Sequence, residues 1–291
     1  MTPFISVILV TYNREGYLPG MLDCLRAQTF KDYELILVDN GSTDGTAGLC
    51  AAYAASDGRV KPLSIRENAG ASFGRNAGLA AASGEYIAFV DDDDRCEPEL
   101  LRFLTELARE EGADISVAGS MFDFGGRTEP KYAGGERSVF GRADALRELL
   151  KRRLYNVAPP GKLFRRVLWD GLTFPGNVLV DDIHVVYKAF ERARRVAVWN
   201  RPLYYFRRHE SNMTAFTQTK KLTPELLDEY IAMYLSRAEY LRDRIPEISK
   251  DIDEATLAFM KNMCQNIIEN SLEGCERQLE YMKEYLKSKG S

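Results

Sequence analysis

The sequence predicts an α/β domain built on a doubly wound sheet, followed by a C-terminal region made only of helices. In the first half of the 291-residue chain, short apolar runs alternate with segments whose apolar residues recur at helical spacing. This alternation is typical of strands and helices that take turns in one largely parallel sheet. From about Leu222 only the helical pattern continues. The length suits one large domain with a smaller addition.

The apolar runs of the first half are rich in β-branched residues, as buried strands are. The predicted strands are residues 5–10, 34–38, 61–65, 86–90 and 114–118. Between them, helical spacing of the apolar residues predicts helices at 17–28, 46–55, 75–82 and 99–109. The glycine-rich stretch Gly125–Gly141 is predicted to be a mobile loop.

The C-terminal region begins with a clear helix start. Thr223 offers a capping hydroxyl, Pro224 suits the first turn, and Glu225 places an acid near the positive end of the helix dipole. Ile245-Pro246 ends this helix, and two further helices are predicted at 253–272 and 276–286. We interpret their apolar stripes as core packing rather than as a membrane or partner face.

Composition excludes several classes of protein. The formal net charge of −4 argues against a nucleic-acid binder, which normally has a basic face. No apolar run approaches the roughly 20 residues that span a bilayer, and the N-terminus lacks the features of a signal peptide. The five cysteines are scattered without CxxC spacing, which indicates a reduced, cytoplasmic protein without a zinc site.

Acidic residues follow two of the predicted strands. Asp39 comes after residues 34–38, and four consecutive aspartates, Asp91–Asp94, come after residues 86–90. Both positions fall at the carboxyl edge of the sheet, where ligands of such folds bind. Charged carboxylates at this edge must face water, basic groups or a cation. Among cations, Mg²⁺ and Mn²⁺ prefer oxygen ligands. A metal–diphosphate site and a solvated acidic turn are both compatible with this pattern.

Other phosphate and metal motifs fit poorly. The turn after Asp39 lacks the glycine and the bidentate glutamate of an EF-hand, and the glycines at positions 70, 74 and 78 do not form a dinucleotide fingerprint. There is no GKS/T phosphate loop either. Arg75, at the start of a predicted helix, is well placed to hold a diphosphate.

Four motifs taken together, in this order and spacing, resemble family 2 glycosyltransferases of the GT-A fold, of the bacterial polysaccharide type. They are Ile5–Asn13 (ISVILVTYN), Asp39–Asp44 (DNGSTD), Glu67–Gly78 (ENAGASFGRNAG) and Gly84–Asp94 (GEYIAFVDDDD). The resemblance covers roughly residues 4 to 215 and implies a Rossmann-like mixed sheet. We therefore expect a nucleotide-sugar-binding and catalytic domain at 1–217 and a helical extension at 218–291.

The resemblance implies a role for each matching residue. Thr11 and Tyr12 would hold the base and ribose, with Tyr12 stacking on uracil. Asp39 would accept a hydrogen bond from the base N3–H, and Arg75 would face the diphosphate. The implied nucleotide contacts also include Asn68, Asp91 and Asp92, and Asp93 would bind the metal, Mn²⁺ or Mg²⁺. Which carboxylates of the tetrad contact the cation stays open.

The pair Asp181-Asp182 resembles the acidic pair that supplies the general base of inverting transfer in this family. Asp182 aligns with the second acid and is favoured as the base; a helix-capping role for one of the pair is also compatible with the sequence. His209 matches a position where some relatives place a third metal ligand, although a lone histidine is more often structural. Asn40 departs from the acid common after Asp39 and removes one charge from the pocket.

The expected function is metal-dependent, inverting transfer of a sugar from a UDP-sugar to an acceptor hydroxyl, in cell-surface polysaccharide or glycolipid synthesis. Two alternatives stay open: a non-catalytic nucleotide- or glycan-binding relative, and a sugar-nucleotide pyrophosphorylase. We expect a cytoplasmic protein, with peripheral contact at the inner face of the membrane left open. The sequence specifies neither the sugar, nor the glycan or lipid-linked acceptor, nor the oligomeric state.

Overall fold

The structure is a computed structural model that describes residues 2–209 and 222–290. The chain divides into two compact units. The first comprises the residues up to Leu149 together with Arg153–Arg207, and the second comprises Leu150–Arg152 and the chain from Arg208 onwards. The boundary expected between residues 217 and 218 lies outside the described residues and stays a prediction.

One mixed sheet organises the first unit. Its strands are β1 (Ile5–Thr11), β2 (Tyr33–Asp39), β3 (Val60–Ser64), β4 (Tyr86–Asp91), β5 (Arg95–Cys96), β6 (Ile115–Asp123), β7 (Thr128–Tyr132), β8 (Ser138–Gly141), β9 (Lys162–Arg165) and β10 (Arg195–Arg207). Their order is β3-β2-β1-β4-β9-β6-β10-β5, with β7 beside β6 and β8 beside β10. Strands β1 to β4 are parallel, whereas β9 runs antiparallel to both of its neighbours.

Six helices of the first part of the chain connect these strands: α1 (Leu18–Arg26), α2 (Thr46–Ser56), α3 (Ala71–Ala81), α4 (Leu100–Glu111), α5 (Arg142–Lys151) and α6 (Asp182–Arg192). The central strands are buried because helices cover the sheet, and every residue of β2 is inaccessible to solvent or nearly so. This explains why β1, β2 and β4 read as continuous apolar runs rather than as alternating ones. The α/β architecture predicted from the sequence is confirmed.

The second unit is helical, as expected. It contains α7 (Pro224–Arg244), α8 (Ser249–Glu269) and α9 (Glu276–Ser288). The Thr223 side chain caps α7 by accepting a hydrogen bond from the Leu226 N–H at 3.3 Å. Tyr234 of α7 stacks on Phe259 of α8 with ring centroids 3.9 Å apart. Within the described residues, every helix is too short or too polar to cross a bilayer.

Helix α3 begins earlier than the sequence predicted. It starts at Ala71, directly after Gly70 with its positive φ of 84°, so Arg75 lies in the second turn and not at the helix start. Two of the regularly spaced glycines, Gly74 and Gly78, lie within α3 and face β1. A Cβ at Gly78 would come within 2.5 Å of the Ile8 side chain. The glycines therefore let the helix lie close against the strand.

The stretch Gly125–Gly141, expected to be a mobile loop, contains β7 and β8. A tight turn joins β6 to β7, closed by the hydrogen bond from the Phe124 N–H to the Arg127 carbonyl at 2.9 Å. Gly125 and Gly126 occupy the turn with φ values of 74° and 123°. Paired glycines with positive φ are typical of hairpin turns, so the prediction of a loop over the whole stretch was wrong.

Candidate active site

The parallel strands bring the predicted site residues to one edge of the sheet. Thr11, the last residue of β1, is paired with Asp39, the last residue of β2. On the other side of β1, Val10 is paired with Asp91, the last residue of β4. Three strand ends with polar side chains therefore lie next to one another, as the sequence predicted.

The four aspartates that begin at the last residue of β4 alternate in exposure. Asp91 and Asp93 are partly exposed, whereas Asp92 and Asp94 are buried. Burial raises the pKa of Asp92 to about 7, against the opposing effects of the Thr11 hydroxyl and of Arg14, whose Nε lies 3.7 Å from the carboxylate. Asp92 is thus poised between its neutral and charged forms at neutral pH.

Asp94 is hydrogen-bonded to the backbone of β10. Its Oδ1 accepts a hydrogen bond from the Arg207 N–H at 2.8 Å. Burial, together with the charges of Asp91 and Asp93, raises the pKa of Asp94 well above its ordinary value. The fully buried Tyr204 completes this arrangement, because its hydroxyl accepts the Asp91 N–H at 3.1 Å.

Arg75 links the tetrad to the second acidic pair. One guanidinium nitrogen lies 3.3 Å from Asp91 and the other 2.5 Å from Asp181. Ser72, one turn earlier on α3, donates a hydrogen bond to the other oxygen of Asp181 at 3.2 Å. Burial opposes the charge of Arg75, but Asp181 and Asp91 outweigh it and raise the pKa of this guanidinium. Arg75 therefore stays a cation in the site.

The two acids of the pair have different surroundings. Asp181 precedes α6, yet its side chain makes no capping hydrogen bond, because Arg75 and Ser72 engage both oxygens. Asp182 is the first residue of α6, and its buried Oδ1 has no hydrogen-bond partner among residues 2–209 and 222–290. Burial and the neighbouring Asp181 raise the pKa of Asp182 to about 6, with Arg75 opposing. An unpartnered carboxylate oxygen of raised pKa is suited to accept a proton.

Lys162 near this pair was not singled out by the sequence analysis. It lies on β9, it is buried, and its ammonium donates to the Ala158 carbonyl at 2.5 Å. Burial, and then Lys131, lowers its pKa to about 7, while Asp182 opposes this shift. A lysine directly before the apolar pair Leu163-Phe164 was the available signal.

The expected nucleotide end of the site lies around Asp39. This buried carboxylate accepts a hydrogen bond from the Ser42 N–H at 3.1 Å. Tyr12 is 38% exposed, so a face of its ring is accessible. Asn40 donates to the Asn68 side chain at 3.1 Å and to the Gly70 carbonyl at 3.0 Å. A carboxylate could not make these donations, which gives a structural reason for asparagine at this position.

The donor chemistry of the tetrad fits a hard divalent cation. Several carboxylates lie close together and repel one another, and a bound cation would offset that repulsion. Across residues 2–209 and 222–290, no group of three or more His, Cys, Asp or Glu side chains is arranged to hold a metal ion. Mg²⁺ and Mn²⁺ sites often use one or two carboxylates and complete the shell with substrate phosphates. Asp93, partly exposed, fits such a site. His209 follows the end of β10 by two residues, and its role as a ligand stays a prediction.

The chain matches the model of glycosyl transferase family 2 over residues 6–172. It is 30% identical to the putative glycosyltransferase EpsH of Bacillus subtilis, over 87% of this chain and 74% of EpsH. It is also 29% identical to the poly(ribitol-phosphate) β-N-acetylglucosaminyltransferase TarS of Staphylococcus aureus, over 84% of this chain but 42% of TarS.

Solved structures show the same fold. The crystal structure of residues 1–349 of TarS with UDP-GlcNAc aligns with a TM-score of 0.72 at 24% identity, over 88% of this chain and 71% of that one. The mannosyltransferase PcManGT from Pyrobaculum calidifontis, in complex with GDP-Man and Mn²⁺, aligns with a TM-score of 0.59 at 17% identity, over 98% of this chain and 85% of that one.

Proposed function

Because this chain belongs to glycosyl transferase family 2 and is a glycosyltransferase with the GT-A fold, we propose that it transfers a sugar from a UDP-sugar to an acceptor hydroxyl, with inversion at the anomeric carbon. The observation that carries the proposal is the cluster at the carboxyl edge of the sheet. There Arg75 bridges Asp91, at the head of the tetrad, and Asp181, next to Asp182.

The nucleotide is assigned to the strand ends of β1 and β2. Thr11 and Asp39 are paired across these strands, and Tyr12 exposes its ring beside them. In this arrangement Tyr12 stacks on the base and Asp39 accepts the N3–H of uracil. Asn68 lies in the loop that Asn40 fixes, and it completes the nucleotide side of the pocket. The relative TarS was crystallised with UDP-GlcNAc, which favours uracil as the base.

The diphosphate is assigned to Arg75 and to a divalent cation at Asp93, with Asp91 and Asp92 beside the ribose. The cation, Mn²⁺ or Mg²⁺, supplies charge stabilisation for the departing diphosphate when it is bound. The repulsion among the carboxylates supports this assignment, because a cation would relieve it. The GT-A relative PcManGT was crystallised with Mn²⁺.

Asp182 is proposed as the general base. Within the part of the chain that the structure describes, its Oδ1 has no hydrogen-bond partner, and its pKa is raised to about 6 by burial and by Asp181. It therefore takes the proton of the acceptor hydroxyl while the oxygen attacks the anomeric carbon, and Asp181 holds Arg75 in place. General base catalysis of this kind typically contributes about 10²–10⁴-fold to the rate.

The acceptor is proposed to be a glycan or lipid-linked hydroxyl in polysaccharide synthesis, at the cytoplasmic side of the membrane. TarS by its name acts on poly(ribitol phosphate), and the synthesis of cell-surface polymers is the setting we propose. Residues 1–217 are assigned to donor binding and catalysis. Residues 218–291 are assigned to contacts with the acceptor, with a partner or with the membrane surface.

The proposal is tested by incubating the protein and Mn²⁺ with a panel of UDP-sugars and candidate acceptors, and by measuring UDP release and the anomeric configuration of the product. We expect release from at least one UDP-sugar, with an inverted product. Asp182→Asn should reduce release by at least about 100-fold while UDP binding persists. A retained configuration, or full activity of Asp182→Asn, would contradict the proposed mechanism.

A further inference from the structure

The chain reaches the acidic pair Asp181-Asp182 through a segment without regular secondary structure. Residues 170–181, which we call the linking segment, all lie in the described part of the chain and form neither a helix nor a strand. The hydrogen-bond ladder of a sheet or helix therefore does not fix their position, and side-chain contacts must do so. Two residues of the linking segment, Phe174 and Asp181, are hydrogen-bonded to helix α3.

The Asn76 side chain of α3 binds both backbone polar groups of Phe174. Its Nδ2 donates to the Phe174 carbonyl at 2.8 Å, and its Oδ1 accepts the Phe174 N–H at 2.8 Å. Residue pairs in an antiparallel sheet exchange their backbone groups in the same way, so one amide takes the place of a strand neighbour for the linking segment. Both bonds have ordinary lengths, and together they hold Phe174 against α3 in one orientation.

The Phe174 ring connects this attachment to the tetrad. The buried ring stacks on Trp169 with centroids 5.4 Å apart and meets Phe89 edge-on at 5.6 Å. Phe89 lies on β4, two residues before Asp91. The guanidinium carbon of Arg75 lies 5.6 Å from the centroid of the Phe174 ring. The same residue therefore supports the cation of the site and packs on the strand that leads to the tetrad.

The end of the linking segment is attached to the same helix. Asp181 accepts hydrogen bonds from Ser72 at 3.2 Å and from Arg75 at 2.5 Å. Asp182 follows directly as the first residue of α6, and its Oδ1 has no hydrogen-bond partner within the described residues. The place of this oxygen relative to Arg75 is therefore set by how the preceding residues are attached to α3.

We propose that Asn76 is a positioning residue for sugar transfer, because it clamps the linking segment to α3 and so holds Asp182 in place. This positioning role rests on the proposed function, in which Asp182 is the general base. Arg75 and Asn76 are consecutive in α3, so the helix that carries the proposed diphosphate ligand also sets the position of the base. A displacement of reacting groups by about 1 Å can cost about 100-fold in rate. Loss of the clamp should therefore slow transfer more than it weakens UDP binding.

A matched amide elsewhere in the chain separates positioning from stability. The buried Gln28 donates to the Glu97 carbonyl at 2.8 Å and accepts the Leu101 N–H at 3.0 Å. Its amide also bridges two backbone groups, but it joins the end of α1 to the start of α4. Gln28→Ala and Asn76→Ala should both lower the free energy of unfolding, whereas only Asn76→Ala should slow the transfer.

Hydrogen exchange measured by mass spectrometry tests the clamp without any substrate. In Asn76→Ala, the Phe174 N–H loses its acceptor, so peptides covering residues 170–181 should exchange at least about 10-fold faster than in the unmodified protein. In Gln28→Ala these peptides should exchange as in the unmodified protein. Unchanged exchange of residues 170–181 in Asn76→Ala would overturn the clamp, whatever sugar the enzyme transfers.

Kinetics test the positioning role. UDP release from UDP-GlcNAc, or from the UDP-sugar that reacts fastest, is measured at saturating donor with Mn²⁺ and divided by the number of UDP-binding sites found by calorimetry. We expect kcat per site to fall at least about 10-fold in Asn76→Ala, while the Kd for UDP stays within about 3-fold. Asn76→Gln keeps the donor and the acceptor of the amide, so its kcat should exceed that of Asn76→Ala by at least about 3-fold. Gln28→Ala should keep the kcat per site of the unmodified protein.

The outcomes distinguish the two proposals. An unchanged kcat per site in Asn76→Ala, an equal loss in Gln28→Ala, or an Asn76→Gln variant as slow as Asn76→Ala would overturn the positioning role. Failure of the proposed function would instead appear in the unmodified protein, which would release no UDP from any UDP-sugar. If Asn76→Ala does not fold, the isosteric Asn76→Asp takes its place, with faster exchange and slower transfer expected again because a carboxylate repels the Phe174 carbonyl.

Discussion

The four aspartates at the end of β4 are chemically alike but have different neighbours. Asp91 faces Arg75, Asp92 faces Arg14, and Asp94 receives the Arg207 N–H. Asp93 is the partly exposed member beyond the strand. Four identical residues thus have different surroundings, and Asp93 is the one proposed as a metal ligand.

This division predicts opposite outcomes for two isosteric changes. Asp94→Asn keeps an oxygen that can accept the Arg207 N–H, so UDP binding with Mn²⁺ should stay within about 3-fold of the unmodified protein. Asp93→Asn removes the proposed metal charge, so the same binding should weaken by at least about 10-fold. Titration calorimetry of both variants checks this pair. Equal losses would show that the tetrad acts as one undivided charge.

The proposed base predicts the pH profile of the reaction. A base works only when it is deprotonated, and burial and Asp181 raise the pKa of Asp182 to about 6. We therefore expect kcat/KM to fall as the pH drops below about 6, rather than below about 4 as for an ordinary aspartate. The profile of UDP release between pH 4.5 and 8, with Asp182→Glu for comparison, measures this limb. A flat profile down to pH 5 would exclude Asp182 as the titrating base.

At the scale of elements, helix α3 positions the guanidinium of Arg75, which is the cationic group of the site. It carries Ser72 and Arg75, and its glycines contact β1. The spacing of the glycines is visible in the sequence, but the reason for it is not, because close contact between a helix and a strand depends on the tertiary structure. The hairpin of β6 and β7 differs in this respect, because its paired glycines are a local signal that the sequence does contain.

Helix α3 also gives a stability prediction. Gly78→Val would force a side chain into Ile8, so unfolding should cost about 1–3 kcal/mol less, and the shifted helix should weaken UDP binding through Arg75. A Cβ at Gly48 of α2 meets nothing within 4 Å, so Gly48→Ala should be neutral or slightly stabilising. Urea unfolding and UDP titration of both variants compare the two helices. A Gly78→Val protein as stable as Gly48→Ala would contradict the close packing of α3 on β1.

At the scale of the whole molecule, the site concentrates acids at a cost to stability. Asp92 and Asp182 have folded-state pKa values of about 7 and about 6, above the ordinary value near 3.9. The folded state therefore binds more protons than the unfolded state between pH 5 and 7, and the free energy of unfolding should fall as the pH rises through this window. Functional sites often carry such a cost.

We expect this decrease to be on the order of 1–3 kcal/mol between pH 5 and 7 for the protein without ligand, and to be smaller in Asp92→Asn. Chemical denaturation at several pH values measures it. A stability that rises from pH 5 to 7 would mean that the acidic site does not govern the pH dependence.

The sequence alone predicted the fold class, the strand ends and the place where the acids meet, because parallel strands bring their carboxyl ends to one edge. It did not single out Lys162 or Tyr204 as neighbours of the acids. Their positions depend on the pairing of β9 and β10 within the sheet, and each looks like an ordinary strand residue in the sequence. Local sequence patterns therefore predicted where the acids lie, but they did not predict which buried groups surround them.

The most direct test of the central claim is calorimetric titration of UDP into the protein with and without Mn²⁺, alongside Asp93→Asn. We predict binding that strengthens with Mn²⁺ and loses this metal dependence in Asp93→Asn, while the variant keeps its fold by circular dichroism. Failure of UDP to bind with Mn²⁺ present, or equal metal dependence in Asp93→Asn, would contradict the assignment of a metal–diphosphate site to the tetrad.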